Sequence, residues 1–229
     1  MTKDGLTNEQ MAWRAARELK DGDCVNLGIG LPTRVADYLN PEADVLIHTE
    51  NGLLGVGPTA PEDLKDPDLV NASKDAVTLI PGASFFSQAD AHVMVRGGHL
   101  AASILGAYQV SEKGDLANWM LPGSPIGRVG GAMDLAAGAR RVIALMRHVT
   151  KEGEPKIVRA CTYPLTGKAC VDLIITDLAV IRVDPDGLHL LEAAPGVTAE
   201  EVRDVTEPTL VVAEDWKEIS VAEGFPAKV

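Results

Sequence analysis

The sequence is poor in aromatic residues and cysteines, and it has no long apolar run. Only 4% of its 229 residues are aromatic, and there are three cysteines, Cys24, Cys161 and Cys170. An odd number of cysteines without a C-x-x-C pair argues against a disulfide framework and against a zinc site. No segment approaches the ~20 apolar residues of a transmembrane helix, and the first ten residues lack the apolar core of a secretory signal. We therefore expect a cytoplasmic protein without a membrane anchor.

Positive charge is also scarce. The chain has 21 Lys and Arg residues against 33 Asp and Glu residues, which gives a formal net charge of −12 at pH 7. This balance opposes binding to nucleic acid or to an anionic membrane surface, so an anionic ligand would need a local basic pocket. The five histidines show no H-E-x-x-H or comparable metal-binding spacing, and we expect no metal site.

The composition is otherwise that of a globular protein, with 46% hydrophobic and 24% charged residues. Strand-like and helical segments alternate in the first part of the chain, and strands outnumber helices in the last third. This order predicts an α/β fold, namely a layered open sheet with helices on both faces and antiparallel additions. There is no internal repeat and no linker, so we expect a single domain over residues 1–229.

Several local patterns predict where helices and strands begin and end. Asn8 is the expected N-cap of the first helix, and residues 77–80 are expected to form a strand. Ser84 is then expected to cap a helix that reaches Val95. Thr198 with Glu201 three residues later has the pattern of a capping box for a short final helix.

Residues 48–55, HTENGLLG, place an ionisable acid, Glu50, at the end of an apolar strand. The Asn51-Gly52 pair that follows is a strong hairpin signal. Residues 53–58 do not alternate, however, and contain two glycines and a proline, which disfavour a strand. We therefore expect a turn that ends a buried strand, with Glu50 at its carboxyl end, where ligands bind in open α/β sheets.

Two glycine-rich segments are candidates for contacts with an anion. Residues 26–33, NLGIGLPT, combine a strand, a glycine loop and a helix start, but Thr33 stands where a Rossmann fingerprint needs its third glycine. A tight turn is therefore the preferred interpretation. In residues 128–140, Gly130 and Gly131 precede a predicted helical turn. Their backbone amides would stabilise a developing oxyanion, or the glycines would allow close backbone packing, and spacing alone favours neither.

Among catalytic groups, a carboxylate is the favoured candidate. No serine has the context of a nucleophile elbow, and each histidine is interpreted as structural. A carboxylate can act as a nucleophile and form a covalent intermediate, which draws attention to Glu50.

Seven ordered blocks together resemble the β subunit of the class I CoA-transferases of the succinyl-CoA:3-oxoacid type. The blocks are VNLGIGLPT (25–33), IHTENGLLG (47–55), NASKDAVTLIPGAS (71–84), VRGGHL (95–100), GDLANWMLPG (114–123), GGAMDL (130–135) and YPLTGKACVDLIITDLAV (163–180). They cover nearly the whole chain, so the resemblance implies a CoA-transferase-like fold throughout.

The resemblance implies a covalent role for Glu50. In this family the glutamate of the E-N-G motif attacks an acyl-CoA thioester, passes through a mixed anhydride and becomes a glutamyl-CoA thioester, which the acceptor carboxylate reopens. The backbone amide of Gly131 is then expected to help form the oxyanion site, with Gly130 shaping the loop. Asn26 matches an asparagine beside the glutamate, and Lys74 matches a lysine near bound CoA. CoA itself is a substrate carrier, and no other cofactor is expected.

The resemblance also implies a partner and a substrate class. The family's α subunit supplies another glycine-rich loop, and the substrates are acyl-CoA and carboxylic acids. We expect CoA transfer from succinyl-CoA to a 3-oxoacid, with acetoacetate and ketone-body metabolism favoured by the GDLANWMLPG block. Transfer to 3-oxoadipate or a short-chain fatty acid is the alternative. A non-catalytic ligand sensor of related fold and an acyl-CoA hydrolase are the competing classes.

Five residues at three places in the sequence depart from the family's pattern. Thr49 stands where serine is frequent, Ala101-Ala102 follow Gly-Gly-His-Leu where a polar residue is common, and Arg128-Val129 replace Gly-Met before the paired glycines. None removes Glu50. Because these positions lie near the expected pocket, they bear on which acid is accepted.

Overall fold

The computed structural model describes residues 5–124, 127 and 130–221, which pack into two compact units. One unit, called here the first unit, comprises Ala12–Gly106 and the described part of Val129–Val142. The second unit comprises the described parts of Met1–Met11, Ala107–Arg128 and Ile143–Val229. The single domain expected over residues 1–229 stays a prediction.

The described residues form four α-helices and thirteen strands. The helices are α1 (Asn8–Ala16), α2 (Gln88–Arg96), α3 (Ala132–Gly138) and α4 (Ala199–Asp204). The strands are β1 (Cys24–Leu27), β2 (Leu46–Thr49), β3 (Leu53–Thr59), β4 (Val77–Phe85), β5 (Ala102–Leu105), β6 (Gln109–Ser111), β7 (Leu116–Ala117), β8 (Val142–Leu145), β9 (Ile157–Val158), β10 (Leu173–Ile175), β11 (Ala179–Asp184), β12 (Gly187–Ala193) and β13 (Leu210–Glu218). Two 3-10 helices cover Leu31–Tyr38 and Glu62–Leu64. Within the described ranges, no helix has both the length and the apolar character needed to span a bilayer.

In the first unit, five strands lie in the order β5-β1-β2-β3-β4. β1 is parallel to both β2 and β5, whereas β3 pairs antiparallel with β2 and with β4. The parallel strands carry fully buried aliphatic side chains such as Val25, Ile47 and Ile104. Short parallel strands buried in this way have apolar runs rather than alternating patterns, which is why the sequence revealed them.

The Asn51-Gly52 turn closes a β-hairpin, and the prediction that residues 53–58 do not form a strand is wrong. Thr49 lies opposite Leu53 in the antiparallel ladder between β2 and β3. The ladder between β3 and β4 shifts its register around Val56, so the irregular residues are absorbed in bulges. Gly52 has a φ of 111°, and a Cβ there would collide with the Phe86 carbonyl. Glycine is therefore required at the turn.

Two predicted helix starts are also corrected. The first helix is capped by Thr7 rather than Asn8, because the Gln10 N–H donates to Thr7 Oγ1 (3.2 Å) and the Thr7 N–H donates to Gln10 Oε1 (2.9 Å). α2 begins after Ser87, whose hydroxyl accepts from the Asp90 N–H. Ser84 instead belongs to β4, which continues past the predicted strand end to Phe85.

In the second unit, strands β13-β12-β11-β10-β8 lie side by side, and β7-β6-β9 form a separate small sheet. β11 and β12 pair as an antiparallel hairpin with Asp184 opposite Gly187. The capping box of Thr198 and Glu201 at the start of α4 is confirmed. With strands and helices combined in both units, the predicted α/β class is confirmed.

His148 is a polar residue in the core of the second unit. Its Nδ1 lies 2.9 Å from Thr176 Oγ1, and its Nε2 lies 2.9 Å from Thr206 Oγ1. Burial lowers the pKa of His148 to about 4. The ring is therefore neutral at pH 7 and held by a hydroxyl on each side.

We predict that acid weakens the fold through His148. Between pH 6.5 and about 4 an unfolded chain binds a proton at His148 that the folded chain does not, so the free energy of unfolding falls as pH falls. This group contributes a loss on the order of 3 kcal/mol over the whole window. Urea unfolding of the wild type and of His148→Gln between pH 7 and pH 4.5 measures it. The variant should show the shallower pH dependence, and equal slopes would contradict the assignment.

Candidate active site

Glu50 is the first residue after β2, and its half-buried side chain lies at the carboxyl end of that strand. β2 runs parallel to β1, with Asn26 opposite His48. The position is the one that the sequence predicted for Glu50, at the edge where parallel strands end and ligands bind.

Gly131 lies directly against the Glu50 carboxyl group. A Cβ added to Gly131 would lie 2.8 Å from Glu50 Oε2 and 3.1 Å from Glu50 Cδ. Among residues 5–124, 127 and 130–221, the Gly131 N–H has no hydrogen-bond acceptor. A backbone N–H next to a carboxylate that can attack a carbonyl is suited to stabilise the oxyanion that develops.

Gly130 differs from its neighbour. It is exposed, and a Cβ added there would meet no atom of the described residues within 4 Å. Space alone therefore does not require glycine at position 130, and the role of Gly130 in shaping the oxyanion loop stays a prediction.

Asn26 is buried on β1, and its amide orientation follows from its contacts. Nδ2 donates to the His48 carbonyl oxygen at 3.1 Å and lies 3.3 Å from His48 Nδ1. A carbonyl oxygen only accepts, so the NH₂ group faces His48 and Nδ1 of the ring is assigned as an acceptor. Within the described residues, the buried Asn26 Oδ1 has no hydrogen-bond partner. Leaving an acceptor unpaired is costly, which is consistent with a polar site at this strand end.

Two further buried polar residues lie next to Asn26, and neither was predicted from the sequence as a site residue. His48 and Ser103 lie on either side of Asn26 at the same register across β2, β1 and β5, and both are fully buried. His48 stacks on Phe86, with ring centroids 5.8 Å apart, and burial lowers its pKa. The sequence does show a polar residue within each of these three mostly apolar strands. Only the pairing register of the strands reveals that the three residues are neighbours.

Lys74 lies in the loop between β3 and β4, and the structure does not bring it to Glu50. Its side chain is exposed and its φ is 67°; within the described residues no hydrogen bond or ion pair joins it to Glu50. The loop itself is tied to the site, because Asn51 Nδ2 donates to the Val70 carbonyl at 2.9 Å. The Gly30 N–H also donates to Ser73 Oγ at 2.9 Å.

The electrostatic environment of Glu50 has two opposing parts. Burial raises the pKa of its carboxyl group, and the nearby His92 lowers it. A carboxylate with a raised pKa is a stronger base and nucleophile when ionised, but it has to lose its proton first.

The residues that depart from the family's pattern have different structural environments. Thr49 keeps a hydroxyl whose oxygen accepts from the Leu53 N–H at 3.3 Å and so supports the hairpin. Ala102 is buried in β5. Arg128 and Val129 lie outside the described residues.

Comparison with known proteins decides the family. The model of the coenzyme A transferase family matches residues 8–204. This chain belongs to the coenzyme A transferase family. It is therefore an enzyme of the CoA-transferase type, and the resemblance inferred from the sequence is confirmed.

Two curated relatives and one solved structure illustrate the match. One subunit of a 3-oxoadipate CoA-transferase from Acinetobacter baylyi is 50% identical over 215 residues, which cover 93% of this chain and 99% of that protein. One subunit of a probable succinyl-CoA:3-ketoacid coenzyme A transferase from Bacillus subtilis is 48% identical over 206 residues, covering 90% and 95%. An acyl-CoA transferase from Escherichia coli O157:H7, solved as a thioester complex with CoA, shares the fold at a TM-score of 0.75 and 20% identity. The match covers all of this chain and 46% of that one, so this chain spans about half its length.

The contact between Gly131 and Glu50 leads to a prediction about adding a side chain at position 131. Gly131→Ala should lower CoA-transferase activity by roughly 100-fold, because a Cβ would displace the carboxyl group and small misplacements at a reacting centre are costly. Gly130→Ala, which adds the same methyl group to open space, should cost much less. Steady-state activity and thermal melting of both variants test this. Similar activity losses in two equally stable variants would contradict it.

Proposed function

We propose that this chain is the β subunit of an enzyme that moves CoA from succinyl-CoA to a 3-oxoacid, with Glu50 as the nucleophile. The observation that carries the proposal is the half-buried Glu50 carboxyl group at the end of a parallel strand, in contact with Gly131. A sensor of related fold would need no carboxylate at that place.

The first half of the proposed reaction transfers the donor's CoA to Glu50. A carboxylate oxygen attacks the thioester carbonyl carbon, the C–S bond breaks, and CoA leaves as a thiolate with the electron pair. The thiolate then attacks the glutamyl carbonyl of the mixed anhydride, and succinate leaves as a carboxylate. The product is a glutamyl-CoA thioester. In the proposed mechanism the Gly131 N–H donates to the oxyanion that forms in these attacks, and the contact of Gly131 with the Glu50 carboxyl group supports this role.

The second half runs the same steps with the acceptor acid. Its carboxylate attacks the glutamyl-CoA carbonyl, the thiolate leaves and then attacks the acceptor's carbonyl in the new anhydride, and Glu50 returns as a carboxylate. The thioester free energy is kept as long as water does not hydrolyse an intermediate. Exclusion of water is therefore part of the mechanism.

A partner α subunit is part of the proposal. Both curated relatives described above are named as one subunit of a CoA-transferase, and the Escherichia coli structure has about twice the length of the matched region. We propose that an α subunit supplies the second glycine-rich loop that completes the pocket. CoA is the carried substrate and no other cofactor is invoked. The cytoplasmic location stays a prediction.

Two acceptor acids are proposed, in order of preference. Acetoacetate is the first candidate, as the GDLANWMLPG block favoured, which would connect the enzyme to ketone-body metabolism. 3-Oxoadipate is the second, and the 50% identity to the Acinetobacter baylyi 3-oxoadipate CoA-transferase chain supports it. Both acids carry a 3-oxo group, so the chemistry at Glu50 is the same for each.

The exchange reaction tests the proposal. The co-expressed complex with its α subunit should transfer CoA from succinyl-CoA to acetoacetate or 3-oxoadipate, and Glu50→Gln should abolish transfer. Glu62→Gln, an exposed glutamate of the same unit, is the matched control and should keep wild-type rates. Competition between acetoacetate, 3-oxoadipate and butyrate ranks the acceptors. Transfer that persists in Glu50→Gln would exclude the nucleophile, and thioester loss without any acceptor would favour a hydrolase.

Lys74 is proposed to contribute to CoA binding. It is an exposed cation on a loop that Asn51 ties to the E-N-G turn, in a chain whose net charge of −12 repels the CoA phosphates. Lys74→Ala should raise the KM for succinyl-CoA about threefold or more, with kcat little changed. Lys65→Ala, an exposed lysine that pairs with Glu62, should leave KM as it is. Equal KM values for the two variants would remove this role.

A further inference from the structure

His92 and Glu50 border the same small space beside Gly131. The point at which a Gly131 Cβ would lie is 2.8 Å from Glu50 Oε2 and 3.1 Å from His92 Cε1. His92 projects from α2, Glu50 follows β2, and Gly131 precedes α3, so three elements of the first unit meet here. His92 was interpreted as structural from the sequence. Its position next to the candidate nucleophile instead points to an effect on Glu50.

Asp134 lies beside Nδ1 of the imidazole, the ring atom bonded to Cε1. Its Oδ2 is 3.6 Å from His92 Nδ1, and its Oδ1 accepts a hydrogen bond from Arg96 Nε at 2.7 Å. The hydrogen bond from Arg96 lowers the pKa of the Asp134 carboxyl group, so Asp134 carries a negative charge at neutral pH. The buried His92 Nδ1 has no hydrogen-bond partner within the described part of the chain, and the carboxylate therefore acts on the ring as a nearby charge.

We propose that His92 is a positioning residue whose ring, when it carries a proton, favours the ionised carboxylate of Glu50. Arg96 holds the Asp134 carboxylate beside this ring. The consequence for the reaction rate rests on Glu50 being the nucleophile, as proposed above, whereas the electrostatic contact itself does not.

The physical need for such a residue follows from the burial of Glu50. Removing a carboxyl group from water disfavours its charged form, and only the charged form can attack a thioester. A cation on the neighbouring helix offsets that effect. The other titratable groups on the packed elements are His48 of β2, whose pKa burial lowers, Asp90 of α2, which accepts a hydrogen bond from the Ser87 hydroxyl at 2.7 Å, and the Asp134–Arg96 pair. Among the groups on these elements, His92 is the one whose charge lowers the pKa of Glu50.

The charge on His92 should shift the acid limit of the reaction in one direction. When His92 is protonated, Glu50 stays ionised to a lower pH, so the reaction persists further into the acid range. When the cation is removed, protons compete at Glu50 from a higher pH. At alkaline pH Glu50 is ionised in either case, and the two proteins should behave alike.

Direct titration of Glu50 tests the contact without relying on activity. The full-length chain is labelled with ¹³Cδ-glutamate, and the Glu50 resonance is assigned by its loss in Glu50→Gln. In His92→Gln the Glu50 midpoint should move to higher pH. His92→Lys, which keeps a cation, should return it toward the wild-type value. His99→Gln, which alters an exposed histidine of the same unit, should leave the midpoint in place.

An unchanged Glu50 midpoint in His92→Gln would overturn the inference. An equal shift in His92→Lys would also overturn it, because the ring's shape rather than its charge would then be responsible.

The rate of CoA transfer by the complex, measured against pH, connects the contact to function. His92→Gln should lose about threefold to tenfold at the acidic end and remain within about twofold at the alkaline end. A uniform loss at every pH would indicate a structural role for His92 and contradict the inference. If the midpoint moves while the rate does not depend on Glu50 at all, the proposed nucleophile fails and the electrostatic contact stands.

Discussion

The close approach of Gly131 to the Glu50 carboxyl group is the constraint on which the candidate site depends. Because position 131 has no side chain, a carboxylate, a backbone N–H and the His92 ring share one small space. The same crowding removes Glu50 from water and raises its pKa, so the site combines a basic carboxylate with a donor for the oxyanion. Each property follows from packing β2, α2 and α3 at one point.

Each residue of the E-N-G turn has a separate physical task. Glu50 carries the carboxylate that we propose as the nucleophile, Asn51 holds the loop that bears Lys74 by donating to Val70, and Gly52 permits close approach to the Phe86 carbonyl at a φ of 111°. Within the described residues, the buried row of His48, Asn26 and Ser103 places polar atoms without hydrogen-bond partners in the sheet. Such atoms are costly in a core, and their concentration at a strand end agrees with a functional rather than a structural origin.

The sequence predicted those features that local chemistry determines. The α/β class, the capping box at Thr198 and the place of Glu50 at a strand end follow from short patterns of apolar and polar residues. The β3 strand was missed because glycine and proline have low strand propensity, and pairing with β2 and β4 outweighs that preference. The family resemblance associated Gly131 with Glu50, but the place of His92 beside them could not be predicted, because these residues are far apart in the chain and meet only through tertiary packing.

The covalent intermediate is the most direct test of the account. The complex of this chain with its α subunit is mixed with succinyl-CoA in the absence of an acceptor, quenched and analysed by peptide mass spectrometry. The account predicts CoA attached through a thioester to the peptide that contains Glu50, with release of succinate and loss of the adduct when acetoacetate is added. A complex that binds succinyl-CoA but yields no adduct at Glu50 under trapping conditions would contradict it.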